Sequence, residues 1–406
     1  MTASTSTLPK LSDRLAQIAP SATAEMFRRV GELRAQGIDL ISLAIGEPDF
    51  DPPPEILAAA QHALETGPFG YTQVAGLATL RAAICARSQL RRGLSHAPDQ
   101  VVVTAGAKHA LFQLAQALYD PGDEVIIPTP SWVSYADQAR LCGATPVFVA
   151  GAASHGFLPT PEAIEAVIGP RTRAIVLCSP NNPTGAAFSA EELGRLAVML
   201  RRHPGVWIIV DEIYAELCYD GFVARSLLSV APDLRERSAI VDGVSKTYAM
   251  TGFRVGWLLA PRALARACET LQSQSTTSIA TLAQLTALAA LNGEQACVER
   301  MRGAYLERRN RLVAGLRAVP GVACELPRGA FYVFADVRAW LGKRAGDRVL
   351  GHDLDVAEWL LARARVATVP GSAFGAPGHL RFSYAAALSN IDKAVERIAA
   401  AAAELS

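Results

Sequence analysis

Between residues 101 and 259 the chain repeats short, nearly unbroken apolar runs: Val101–Thr104, Glu124–Ile127, Pro146–Val149, Ala174–Leu177, Val206–Val210, Ala239–Val241 and Gly256–Leu259. Unbroken rather than alternating runs predict strands covered on both faces. Between several of them lie longer stretches with apolar residues at helical spacing, as in Ala110–Leu118 and Ala190–Leu196. Strands alternating with helices predict an α/β fold, a mostly parallel sheet sandwiched by helices. After Leu291 the pattern changes. An arginine-rich helical segment, Val298–Val319, leads to strand-like runs starting at Ala330 and Leu380, which predicts a smaller α+β domain. The first 45 residues are expected to cross the molecule and join it. The expected division is therefore 1–45 (an N-terminal arm and part of the small domain), 46–290 (a large domain) and 291–406 (a small C-terminal domain). There are no internal repeats and no low-complexity linker.

Composition narrows the function classes. A chain of 406 residues, half of them hydrophobic, buries a large core. With a net charge of +1 and no long charge run, it shows no nucleic-acid footprint. Seven cysteines are scattered without a CxxC pair, which fits a reduced, cytoplasmic setting. The seven histidines show no ligand spacing, so no metal site is expected. The polar start Met1–Thr7 has no apolar core, and no stretch approaches the ~18 apolar residues of a span; neither a signal peptide nor a membrane segment is expected.

The basic residues are unevenly chosen. Five are lysine (Lys10, Lys108, Lys246, Lys343 and Lys393) and the rest of the 39 are arginine. Arginine supplies charge wherever charge suffices, but a guanidinium cannot form an imine and an amine can. Lys246 lies just after the apolar run Ala239–Val241, with Arg254 eight residues on. An amine at a strand's carboxyl end with an arginine nearby suits a Schiff base to a phosphorylated aldehyde, which points to pyridoxal phosphate. A coding bias that kept a few lysines at random would leave the same count.

In open α/β sheets, ligands bind at the carboxyl ends of the strands, so the polar residues there carry the chemistry. Thr104-Ala-Gly106-Ala107-Lys108 opens a helix with small residues that let backbone N–H groups approach a phosphate, and it also reads as a plain strand-to-helix turn. Ser179-Pro-Asn-Asn182-Pro-Thr-Gly185 fixes an amide at Asn182, or is simply a turn. Asp211 ends the strongest strand, where a buried carboxylate is costly unless it meets a cation such as a pyridinium nitrogen. The bland alternative is a helix cap at Asp211 with Glu212 on the surface. Tyr214 follows as a hydroxyl donor, Arg254 as a bidentate phosphate ligand, and Pro130–Tyr135 as an aromatic face around Trp132 that stacks on a flat ring or fills core.

Together these segments resemble the class I aminotransferases, which are fold-type I pyridoxal phosphate enzymes, and among them the bacterial aspartate aminotransferases. The resemblance runs from about Leu11 to the C-terminus. It is carried by Pro20–Thr23, Ile45–Pro52, Tyr71–Gly76, Ser179–Gly185, Asp211–Tyr214, Ser245–Arg254 and His379–Ser383. It implies that Lys246 holds pyridoxal 5'-phosphate covalently and moves the proton between substrate and cofactor. Asp211 would keep the pyridine nitrogen protonated, with Tyr214 and Asn182 on the ring oxygen and Trp132 stacked on the ring. Arg254 and the amides of Gly106, Ala107 and Lys108 would bind the phosphate, with Tyr71 reaching it from the other subunit of a homodimer. Arg381 would clamp the substrate α-carboxylate, helped by Asn182, Trp132 and Gly46. Lys108, Ser21 and Thr23 would engage a distal carboxylate, which favours aspartate or glutamate with 2-oxoglutarate or oxaloacetate in a ping-pong transamination.

Three departures stand out. Ala105-Gly-Ala-Lys108 has one glycine where many relatives have two; Arg328 stands where glutamate is commoner; and Ser131 precedes Trp132. Arg328 and Phe331 are expected near the pocket mouth, where they would widen specificity toward prephenate or aromatic acids. A carbon–sulfur lyase or a cyclase on the same scaffold is the first rival reading. A cofactor-sensing transcription regulator is a second; it would need an extra N-terminal DNA-binding domain and a basic patch, and with about ten residues before the matched region and a net charge of +1 neither is expected.

Overall fold

The computed structural model describes residues 11–18 and 22–406. After helix α1 (Ala22–Ala35) come β1 (Ile41–Ser42), α2 (Pro54–Thr66) and α3 (Ala78–Arg92). The chain then builds a seven-stranded sheet from β2 (Val101–Thr104), β3 (Glu124–Thr129), β4 (Thr145–Ala150), β5 (Thr172–Cys178), β6 (Trp207–Asp211), β7 (Ser238–Gly243) and β8 (Gly256–Leu259), in the order β2-β8-β7-β6-β5-β3-β4. All seven predicted runs are strands of this sheet.

The sheet is parallel except at β8, which runs antiparallel to both β7 and β2. The segment joining β7 to β8 holds only one short helical turn at Val244–Thr247 and a second at Thr251–Phe253. It is too short to be a helical crossover, so the chain turns back. Lys246 and Arg254 sit on that connection.

Both faces are buried, which explains the unbroken apolar runs. Along β3, Val125 and Ile127 pack into one cluster with Leu111 and Leu114 of α4 (Ala107–Leu118), while Ile126 packs into another with Leu80 and Ile84 of α3. A third core surrounds the antiparallel pair Tyr332–Asp336 and His379–Ser383. There Leu312, Leu316, Ile391 and Ile398 come from the helices Ala296–Arg317 and Leu388–Ala402. β1 pairs parallel with Val366–Ala367, so residues near 41 lie against this C-terminal region. Among the described residues no helix is long and apolar enough to cross a membrane.

Candidate active site

A cavity of about 520 Å³ opens where β5, β6 and β7 end, and Asn182, Asp211, Tyr214, Lys246, Arg254 and Arg381 all line it. Gly46, Ala107, Lys108 and Trp132 line it as well. Residues spread over more than three hundred positions thus meet around one space, because consecutive parallel strands deliver their carboxyl ends to the same sheet edge.

Lys246 donates to the Gly46 carbonyl at 2.8 Å, with the Phe331 ring 5.9 Å from its nitrogen. Burial lowers its pKa to about 8; Glu47 opposes this, and Arg254 and Arg381 add to it. Part of this amine is therefore uncharged near neutral pH, as a nucleophile or base requires.

Asp211 is buried at the end of β6. Its Oδ2 accepts from the Tyr135 hydroxyl at 2.7 Å and its Oδ1 from the Ile213 amide at 3.1 Å. Burial raises its pKa to about 6, the two hydrogen bonds pull it down, and the nearby carboxylates of Asp242 and Glu212 push it up. It is a carboxylate placed where a cationic ligand atom would be welcome. Glu212, beside it, is not on the surface but buried and ion-paired to Arg92.

Arg381 is fully enclosed, and burial lowers its pKa. Its Nη1 donates to Asn182 Oδ1 at 2.9 Å and its Nη2 to the Ala44 carbonyl at 2.5 Å. The rings of Tyr332 and Phe374 lie 4.6 and 5.0 Å from the guanidinium carbon. Its Nε, buried, has no hydrogen-bond partner among the described residues. The side chain is fixed from several sides and still has donor capacity left for an anion.

One end of the cavity is built from α4 and Arg254. Gly106 precedes α4 with φ of 83°, and a Cβ there would lie 2.6 Å from Arg254 Nη2. The positive φ and the arginine's approach together disfavour a side chain at this glycine. Arg254, itself at φ 55°, donates to the carbonyls of Thr251 at 2.9 Å and Ala105 at 3.2 Å. A helix N-terminus beside a fixed guanidinium is an anion site.

The expectation for Arg328 and Phe331 needs correction, and other expected residues have further partners. The Tyr214 hydroxyl shares a 2.8 Å hydrogen bond with that of Tyr332. Asn182 engages Arg381 through its oxygen, leaving only its amide nitrogen to donate. Arg328 and Phe331 do not line the cavity: Arg328 donates to the Ala187 carbonyl and lies over Phe222, and Phe331 is fully buried against Tyr214. From α1, Ala24 and Phe27 stand at the cavity in their place. Ser21 lies outside the described residues, as does the side chain of Thr23. Tyr71 is 91% exposed and touches nothing of this chain's cavity. Lys108 holds its amine 4.9 Å from the Trp132 ring, and Trp132 packs edge-on against Tyr135. The hydroxyl partners Tyr135 and Tyr332 were missed; the only signal was their place beside residues already singled out.

The model of the family described as "Aminotransferase class I and II" matches residues 38–398. The chain belongs to this family. The aminotransferase is 44% identical over 389 residues to an aspartate aminotransferase of Geobacillus stearothermophilus, covering 96% of this chain and 98% of that one. It is 44% identical over 397 residues to an aspartate/prephenate aminotransferase of Cereibacter sphaeroides, covering 98% and 99%. Among solved structures, the aspartate aminotransferase of Rhizobium meliloti superposes with a TM-score of 0.95 at 41% identity, over 98% of this chain and all (100%) of that one. The Thermus thermophilus aspartate aminotransferase with maleate superposes with a TM-score of 0.91 at 41% identity, over 97% and 100%.

The pocket fits the pyridoxal phosphate expected of the family. Arg254 and the start of α4 suit a phosphate, Asp211 a protonated ring nitrogen, Trp132 a flat ring, and Lys246 an aldehyde.

Proposed function

We propose that this aminotransferase moves the amino group of L-aspartate or L-glutamate to a 2-oxo acid with pyridoxal 5'-phosphate, by a ping-pong route. The observation that carries the reading is a pair of cations, Arg381 and Lys108, lining the same cavity as Lys246 and Asp211. Two cations suit two carboxylates, and the Thermus structure named above was solved with maleate, a dicarboxylate. When bound, pyridoxal phosphate supplies an electron sink for the bond broken at the substrate's Cα. Arg381 holds the α-carboxylate and so fixes which Cα bond faces the ring. Lys246, uncharged in part, takes the proton from Cα and returns it on the cofactor side. Asp211 keeps the ring nitrogen charged, and Arg254 anchors the phosphate.

The residue roles given above, the division at 45 and 290, and a cytoplasmic homodimer belong to the same proposal. The exposed Leu64, Phe69 and Tyr71 support a second copy seated over α2 and the segment after it. Phe27 at the cavity, with relatives named for both aspartate and prephenate, supports acceptance of prephenate as a second substrate.

The test is a half-reaction. Holoenzyme mixed with L-aspartate and no acceptor is expected to release one oxaloacetate per site and stop, then to resume on adding 2-oxoglutarate. Continuous release of ammonia without acceptor would indicate lyase chemistry, and no release of oxaloacetate would remove the substrate assignment. Lys108→Met is expected to lower kcat/KM for aspartate by about 10- to 100-fold while leaving alanine and phenylalanine within about threefold, since only a distal carboxylate loses its partner.

A further inference from the structure

Six charged side chains form a cluster that does not line the cavity. Arg87, Arg91 and Arg92 come from the last turns of α3, Glu212 and Glu216 from the segment after β6, and Asp242 from β7. Arg92 is the hub. Its Nε donates to Glu212 Oε2 and its Nη2 to Asp242 Oδ2, both at 2.5 Å, and all three side chains are at most 5% exposed. Arg91 bonds Glu216 at 2.5 Å and reaches Asp242 at 3.5 Å, and Arg87 bonds Glu216 at 2.7 Å. Three cations thus balance three carboxylates.

The placement is what matters. Glu212 is the residue next to Asp211, and Asp242 sits on the adjacent strand, four residues before Lys246. The Glu212 amide also donates to the Val241 carbonyl at 2.9 Å, which joins the two strand ends. Arg92 therefore staples from outside the cavity the two strand ends that present Asp211 and Lys246. A guanidinium can span two acceptors on different strands; an ammonium is a single point. The titratable groups around Asp211 are Tyr135 from α5 (Ser134–Leu141), Cys178 at the end of β5, Asp242 on β7, Lys246 beyond it, and Glu212 on its own segment. Two of these are carboxylates, and Arg92 ion-pairs with both, sharing Asp242 with Arg91.

We propose that Arg92 is a positioning residue for the cofactor site: it holds the ends of β6 and β7 together and offsets, with Arg91, the charge of the two carboxylates flanking Asp211, so that Asp211 meets the cofactor ionised. The inference rests on the cofactor reading above. Without Arg92, the negative charge of Glu212 and Asp242 favours the protonated form of Asp211. A neutral carboxyl cannot hold a protonated ring nitrogen, so binding is lost as pH falls through Asp211's pKa, and that midpoint moves upward.

The experiment is binding of pyridoxal phosphate to apo protein across pH 5–9, read by quenching of tryptophan fluorescence. Arg92→Met is expected to raise the midpoint of the acid limb by about one pH unit, weakening binding about tenfold at pH 5 and about twofold near pH 7. Arg92→Met with Glu212→Gln removes one charge of each sign and leaves Asp242 to Arg91; it is expected to bring the midpoint back to the wild-type position. Should Arg92→Met fail to fold, Arg92→Lys replaces it, with a smaller shift in the same direction. A wild-type midpoint in Arg92→Met or Arg92→Lys, or an equal, pH-independent weakening in the single and double variants, would overturn the proposal while leaving the cofactor reading intact. Wild-type protein that binds no pyridoxal phosphate would remove both.

Discussion

Lys246→Ala is expected to bind pyridoxal phosphate and amino acid and yet release oxo acid at least about 10⁴-fold more slowly than the parent in a single turnover. Two proposed functions would vanish together, the covalent hold on the cofactor and the base beside Cα, so their losses do not separate by adding single variants. Lys246→Arg is the sharper control. It restores a cation near the Gly46 carbonyl, which Lys246 now bonds at 2.8 Å, but a guanidinium forms no imine and holds its proton at any working pH. It is expected to be as inactive as alanine. The fold survives both changes, since Lys246 makes one hydrogen bond and burial already disfavours its charge. Leaving one carbonyl without a donor costs roughly 1–3 kcal/mol. An arginine variant with a tenth of the parent's rate would show that the lysine serves only as a charge.

Arg381→Leu is expected to reduce kcat/KM for every amino donor by about 30- to 1,000-fold, the cost of removing one partner from a buried charge-assisted pair. The loss should be nearly the same for aspartate, alanine and phenylalanine, because all share the α-carboxylate. That uniformity sets it apart from Lys108→Met, whose effect is confined to dicarboxylates. Steady-state kinetics on the three donors separates the two clamps. A loss confined to aspartate would exchange the assignments of Arg381 and Lys108. The variant also leaves Asn182 Oδ1 and the Ala44 carbonyl without their donor, so its melting temperature is expected to fall.

What the sequence made legible follows from what chain spacing encodes. Unbroken apolar runs located all seven strands of the main sheet, because a sheet covered on both faces permits nothing else. The rule that ligands gather at strand ends then picked out Asn182, Asp211, Tyr214 and Lys246, which meet at one cavity. Contacts between elements were not legible. Tyr135 and Asp211 are 76 residues apart and Tyr214 and Tyr332 are 118 apart, and no periodicity links such pairs. Arg92 read as one more arginine on a helix, since only its ion pairs with Glu212 and Asp242 show that it spans two carboxylates. Arg328 and Phe331 were misplaced because a loop before a strand can face either side. The residue after it, Tyr332, is the one that reaches the cavity.

The short stretch Leu43–Gly46 has a consequence for the order in which the molecule matures. The Leu43 carbonyl accepts from the Ser383 amide at 2.6 Å, the Ala44 carbonyl holds an arginine 337 residues away, and the Gly46 carbonyl holds a lysine 200 residues away. A growing polypeptide could close its central sheet once residue 259 has emerged. It would still lack Arg381, the proposed clamp for the α-carboxylate, and the strand that anchors Leu43. Such late, long-range closure is entropically demanding and tends to be slow. Competence should therefore lag behind compaction: a nascent sheet with its amine in place has to await the final few dozen residues before it can tell an amino acid from any other small molecule.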